Sequence, residues 1–163
     1  MFEVRRYTPD KASEWNRFVA QSKNGTFLFD RRFMDYHADR FEDCSLMVYR
    51  RGVLYALLPA NIKGEVLTSH GGLTYGGLIM SDKCSAKGVQ ASFAAINDFL
   101  RSIAVQKVVY KAVPWIYHRQ PAEEDLFALT SICQARLIIR DISSAIIGDR
   151  KMHFSESRLS GLR

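Results

Sequence analysis

The chain has 163 residues, 47% hydrophobic and 25% charged, which fits one ordinary globular domain and excludes a low-complexity or fibrous chain. Lys and Arg number 23 against 17 Asp and Glu, a formal charge of +6 that favours anionic partners, but the pairs Arg5-Arg6, Arg31-Arg32 and Arg50-Arg51 are scattered as on a solvated surface. Three cysteines without CxxC spacing exclude a zinc framework, and the chain lacks both an apolar signal core and a run near the roughly 20 apolar residues that span a bilayer, so we expect a cytoplasmic protein with free thiols and no metal.

Residues 2–8 read as a short strand with Phe2 and Val4 on one face. Thr8-Pro9 opens a helix, with Pro9 at its first position, and Ala12, Trp15, Phe18 and Val19 recur at helical spacing until Asn24-Gly25 ends it. A second helix is expected over 30–40, capped by Asp30, with Phe33, Met34 and His37 on one face, which makes His37 a core histidine. The apolar runs 45–49 and 53–58 flank Arg50-Arg51-Gly52, a hairpin covered on both faces. After Pro59 and the Lys63-Gly64 turn, a third strand is expected from Glu65 toward Met80, interrupted by glycines. Val89, Phe93, Ile96, Leu100 and Ile103 define a long helix over 85–104. A strand follows over 105–113 and ends at Pro114. Pro121 opens a helix reaching about Gln134, whose acids Glu123, Glu124 and Asp125 read as a solvated first turn. Residues 135–147 read as a final strand or strand pair. The order β-α-α-β-β-β-α-β-α-β places the chain in the α/β (α+β) class, with a mixed, mostly antiparallel central sheet flanked by helices and one parallel crossover.

Several stretches resemble one another's counterparts in a known group. They are Trp15, Phe18, Ser22 and Asn24-Gly25-Thr26-Phe27; then Phe33-Met34, Tyr36-His37 and Arg40-Phe41; then Ser69-His70-Gly71-Gly72-Leu73-Thr74-Tyr75-Gly76-Gly77; then Lys111-Ala112-Val113-Pro114-Trp115-Ile116-Tyr117-His118 followed by Pro121 and Glu123-Glu124-Asp125; and Arg140-Asp141-Ile142-Ser143-Ser144. Together they resemble FemAB-like bacterial proteins of the GNAT (acetyltransferase-like) superfamily. The resemblance implies transfer of an acyl or aminoacyl group, from acyl-CoA or aminoacyl-tRNA, to an amine acceptor such as a cell-wall precursor or a small molecule. It also implies two such domains in tandem. Residues 1–150 would form the first, and 151–163 would start a helix toward the second. In acetyl-CoA-binding members a Gly-rich loop opens the helix that holds the pyrophosphate. Here the corresponding stretch, 80–89, has one glycine and carries Asp82, leaving Lys83, Lys87 and Gly88 as candidate cofactor contacts.

The tract 69–77 gathers polar groups on a flexible backbone, so Ser69, His70, Gly71, Gly72, Thr74, Tyr75, Gly76 and Gly77 are candidate substrate contacts. Within it His70 is a candidate general base, and Tyr75 a candidate acid or anchor. Tyr110, Lys111, Tyr117 and His118 fall at the C-terminal end of a strand, where open α/β sheets bind ligands, and Tyr36 on the second helix is a further candidate. A nucleophile elbow, a Walker loop and a dinucleotide fingerprint are all missing, and nothing suggests specific DNA binding. Two rivals stay open: a non-catalytic binding or dimerisation module, and a free-standing acetyl-CoA-dependent N-acetyltransferase working as a homodimer.

Overall fold

The computed structural model describes residues 1–142; the expectations for 143–163, and for the His37 side chain, lie outside the described residues. In chain order the elements are β1 (Phe2–Arg6), α1 (Ala12–Gln21), α2 (Arg31–Met34), β2 (Glu42–Asp43), β3 (Leu46–Arg50), β4 (Val53–Leu58), β5 (Asn61–Lys63), β6 (Val66–Thr68), β7 (Ile79–Met80), α3 (Ala86–Ser102), β8 (Lys107–Val109) and α4 (Glu124–Ser131). The strands form two four-stranded sheets, ordered β1-β3-β4-β7 and β2-β5-β6-β8. All neighbours are antiparallel except β6 and β8, which α3 connects as a crossover.

The β3–β4 hairpin turns at Arg51 and Gly52, both at positive φ (+51° and +77°), the geometry that matches strand twist. Its unbroken apolar runs have a direct cause. Leu46, Val48, Ala56 and Leu58 face a core under α3, built on Val89, Phe93, Ile96 and Leu100. Met47, Tyr49 and Leu57 face a second core with Trp15, Phe29 and Ile79. Both faces are covered, so neither strand alternates. Ser85 caps α3 by accepting from the Gly88 N–H, as its place before the apolar repeat implies.

Several expectations need correction. The strand predicted from Glu65 to Met80 is two pieces: β6 pairs with β5, β7 pairs with β4, and 69–78 leaves the ladder between them. The helix expected over 30–40 is the single turn α2 followed by a 3-10 turn, Asp35–His37. Asp30 caps it, but Phe33 points outward and Arg31, read as a solvated charge, goes inward. The Arg31 guanidinium lies between the rings of Tyr7 (3.4 Å) and Trp15 (4.2 Å) and pairs with Asp43 and Asp35. Two aromatic faces and a carboxylate replace its water. Ile103 lies past the end of α3 and is partly exposed. The strand over 105–113 shortens to β8, and the helix from Pro121 begins at Glu124 and ends at Ser131. Of its acids, Glu123 is exposed as expected, but Glu124 pairs with buried Lys23 and Asp125 is itself buried. Residues 135–142 contain no strand.

Among the described residues no helix is long and apolar enough to cross a membrane. The three cysteines are free, with Cys44 and Cys84 buried.

Candidate functional site

The two segments singled out in the sequence are brought together. The Ser69 N–H donates to Val109 O (2.9 Å), extending the β6–β8 ladder, and the Gly76 N–H donates to Lys111 O (3.0 Å). The Lys111 N–H donates to Ser69 Oγ (2.7 Å), and Tyr75 stacks on Tyr117 with centroids 5.1 Å apart. The junction lies just past the C-terminal ends of the parallel pair, the edge where open sheets place ligands.

The glycines let backbones meet, as expected, but what they meet is this protein. A Cβ on Gly76 would overlap Ser69 O, one on Gly72 would overlap the Phe41 ring, and Gly77 (φ +86°) lies against the Tyr110 hydroxyl. The 70–73 turn closes on itself, Leu73 N–H to His70 O (3.2 Å), and is pinned by Gly71 N–H to Asn61 Oδ1 and by Lys111 Nζ to Leu73 O. Gly71, Gly72 and Thr74 face solvent, whereas Ser69, His70, Tyr75, Gly76 and Gly77 are buried.

His70 takes a left-handed backbone (φ +40°), and its ring lies beside Phe41 with Nδ1 buried and unpartnered. Burial depresses the imidazole to about 4. Arg31 and Lys111 push the same way, while Asp43 opposes them. The ring is therefore neutral at pH 7, well below the range of an efficient general base. Burial also raises the Tyr75 phenol and lowers the Lys111 ammonium.

The depressed His70 value links stability to pH. The unfolded imidazole binds a proton near its ordinary 6.5 and the folded one only near 4, so the contribution is complete above about 6.5 and lost as pH falls toward 4. The variant His70→Asn keeps a residue that tolerates positive φ. We expect urea midpoints of the two proteins, compared from pH 7 to 4.5, to converge as pH falls. Parallel curves would contradict this assignment.

Behind this junction Tyr110 spans the seam between the sheets. Its hydroxyl accepts from the Leu78 N–H (2.6 Å) and donates to Asp125 Oδ2 (2.5 Å). Burial, then the Asp125 carboxylate, raises the phenol well above its usual value, so Tyr110 remains the donor. Burial raises the Asp125 carboxyl as well, against the hydrogen bonds from Tyr110 and from the Leu126 N–H (2.8 Å).

Asn24 secures the far side of the seam. Its Nδ2 donates to Leu78 O (2.8 Å), and its Oδ1 accepts from the Met80 N–H (2.9 Å), so its amide imitates one more strand residue beside β7. Lys23 Nζ donates to Cys84 O (3.0 Å) and pairs with Glu124, tying the starts of α3 and α4 together. We expect Asn24→Ala to cost about 2–4 kcal/mol in urea unfolding, since it strands a buried carbonyl and a buried N–H. A cost within the error of the measurement would remove this role.

The head of α3 is the place where the fold could hold a phosphate. Lys83 and Lys87 are exposed there, but Gly88 is buried. A Cβ on Gly88 would overlap the Tyr55 hydroxyl, and that hydroxyl also accepts from the Ser85 N–H (3.2 Å). The Gly88 N–H is held by Ser85 Oγ (3.3 Å) and the Val89 N–H by Ser85 O (2.8 Å). The Ser85 and Gly88 N–H groups are thus already bonded and the Tyr55 hydroxyl lies against Gly88, so this head does not fit the group.

His118 is half-buried, its Nε2 within 3.2 Å of Val113 O, and Tyr36 is exposed on the turn after α2. An open groove of about 540 Å³ runs along 115–123, lined by Trp115, Ile116, His118 and Arg119. Among the described residues no group of three His, Cys, Asp or Glu is placed to hold a metal. Sequence reasoning missed Lys23, Asn24, Tyr55 and the site-side role of Asp125. Asn24 carried a turn signal that concealed its clamp, and Tyr55 looked like any apolar strand residue.

No protein-family model and no curated protein sequence matches the chain. Solved structures do match its fold. A ribosomal-protein-alanine N-acetyltransferase from Brucella melitensis biovar Abortus 2308 superposes with a TM-score of 0.53 at 15% identity, over 90% of this chain and 97% of that one. An aminoglycoside acetyltransferase from an uncultured soil metagenomic sample gives 0.49 at 13% identity, over 89% and 99%. For an alanine N-acetyltransferase of a ribosomal protein from Escherichia coli the values are 0.46 and 11%, and the chain spans 64% of that enzyme. The first of these likenesses shows the fold alone: a mixed α/β domain folded like that acetyltransferase.

Proposed function

We propose that the chain is the acceptor-side half of a FemAB-like transferase, moving an acyl or aminoacyl group onto an amine. The observation that carries this reading is the junction of 69–77 with 110–118 at the C-terminal ends of β6 and β8. Its exposed rim, Gly71, Gly72, Thr74 and Tyr117, would receive the acceptor. Lys111, half-buried and bonded through Nζ to Leu73 O, would orient it. The protein's part is positioning, because burial pushes the His70 imidazole down to about 4 and the Tyr75 phenol upward, directions that suit neither base nor acid. The donor, acyl-CoA or aminoacyl-tRNA, would come with a second acetyltransferase-like domain. The test is transfer of label from acyl-CoA or charged tRNA to amine acceptors, by this chain joined to such a domain. Transfer is expected from one donor and should fall at least tenfold in Lys111→Met; no transfer from either donor would overturn the reading.

A second reading, a free-standing N-acetyltransferase, is supported by the coverage of 97% of the Brucella enzyme. It requires acetyl-CoA turnover by the 163-residue chain alone.

A further inference from the structure

We infer that Tyr55 occupies, from within the protein, the anion-binding position at the head of α3, so that this chain holds no coenzyme A there. The head of a 17-residue helix is an inviting place for a phosphate, with its N–H groups and dipole pointing outward and two lysines nearby. The tyrosine takes that place. Its hydroxyl accepts the Ser85 N–H and rests on Cα of Gly88, and the ring is fixed in turn by Phe2 (centroids 5.1 Å) and by the guanidinium of Arg50 (5.6 Å). Gly88 is needed for this contact and not for a ligand, since any side chain there would collide with the phenol. Burial keeps the phenol protonated, so a neutral oxygen stands where a phosphate oxygen would.

A second closure reinforces the first. It lies in the seam between β7 and β8, on the side of the junction. There Tyr110 is bonded on one side to Leu78 N and on the other to Asp125, with Gly77 pressed against it.

The experiment is isothermal titration of the whole chain with coenzyme A and, separately, with inorganic pyrophosphate. Wild-type protein should show no saturable binding of either up to millimolar concentration. Tyr55→Leu shortens the side chain so that it cannot reach Ser85, and should bind pyrophosphate at least tenfold more tightly than wild type, with the Ser85 amide resonance shifting on addition. Micromolar binding of coenzyme A by wild-type protein would overturn the inference whether or not the variant folds. So would a folded Tyr55→Leu that binds pyrophosphate no better. These outcomes are separate from the transfer assay: wild-type binding of coenzyme A favours the free-standing acetyltransferase, whereas absence of transfer says nothing about Tyr55.

Discussion

Replacing Tyr110 by Ala should remove most of the stability of this domain. Tyr110 is half-buried, so emptying its site costs less than the roughly 3–5 kcal/mol of a fully buried aromatic. Tyr110 adds to that cost, because its hydroxyl is a partner both of the Leu78 N–H and of the buried Asp125 carboxylate. Each group left unsatisfied adds about 1–3 kcal/mol. The total approaches the 5–15 kcal/mol by which domains of this kind are stable. The milder Tyr110→Phe isolates the polar part, since the ring still fills the seam against Phe93. It should lower urea-unfolding stability by about 2–4 kcal/mol. Asp125→Asn, which keeps an oxygen to accept from Tyr110, should cost less than Tyr110→Phe. If Tyr110→Phe unfolds at the wild-type midpoint, the hydroxyl does not bridge the seam.

The second large effect is expected at Gly76. A methyl group there would overlap the carbonyl of Ser69, and that carbonyl belongs to the backbone that continues the β6–β8 ladder, so no side-chain rotation can relieve it. Gly76→Ala must therefore either break the Gly76 N–H bond to Lys111 O or push the tract away from β8. A loss of about 3 kcal/mol or more is expected, at the upper end for a single methyl group. Gly52→Ala provides the control. Gly52 has the positive φ (+77°) that Gly76 lacks, but nothing lies within 4 Å of its Cβ position, so only backbone strain of about 1 kcal/mol applies. Chemical denaturation of the two variants side by side checks the comparison. A cost at Gly76 no larger than that at Gly52 would mean that the approach of Ser69 does not explain the glycine at 76.

Much of the scaffold was legible because its signals are local. The apolar repeat from Val89 to Ile103 gave α3 to within two residues at either end, and Arg51-Gly52 between two apolar runs gave the hairpin. The short helix α2 was not legible. Its expected length rested on Phe33, Met34 and His37 sharing a face, whereas the element is set by Arg31 finding Tyr7 and Trp15, which lie far away in sequence. The pairing of 69–77 with 110–118 could be suspected from their composition, but not their manner of contact. Hydrogen bonds such as Lys111 N–H to Ser69 Oγ join residues 42 positions apart, and no spacing rule reaches across that distance.

By itself the sequence determined the class of the domain, the position of its main helix and hairpin, and which two segments carry unusual polar and glycine content. Those properties follow from periodicity, caps and turn residues, each acting within a few positions. Only the tertiary structure decided that the strand around the glycine tract divides between two sheets, that Tyr110 fills the seam between them, and that Tyr55 covers the head of α3. Each of these depends on a side chain meeting backbone from a distant part of the chain, where burial and unsatisfied N–H groups, not local propensity, determine what fits.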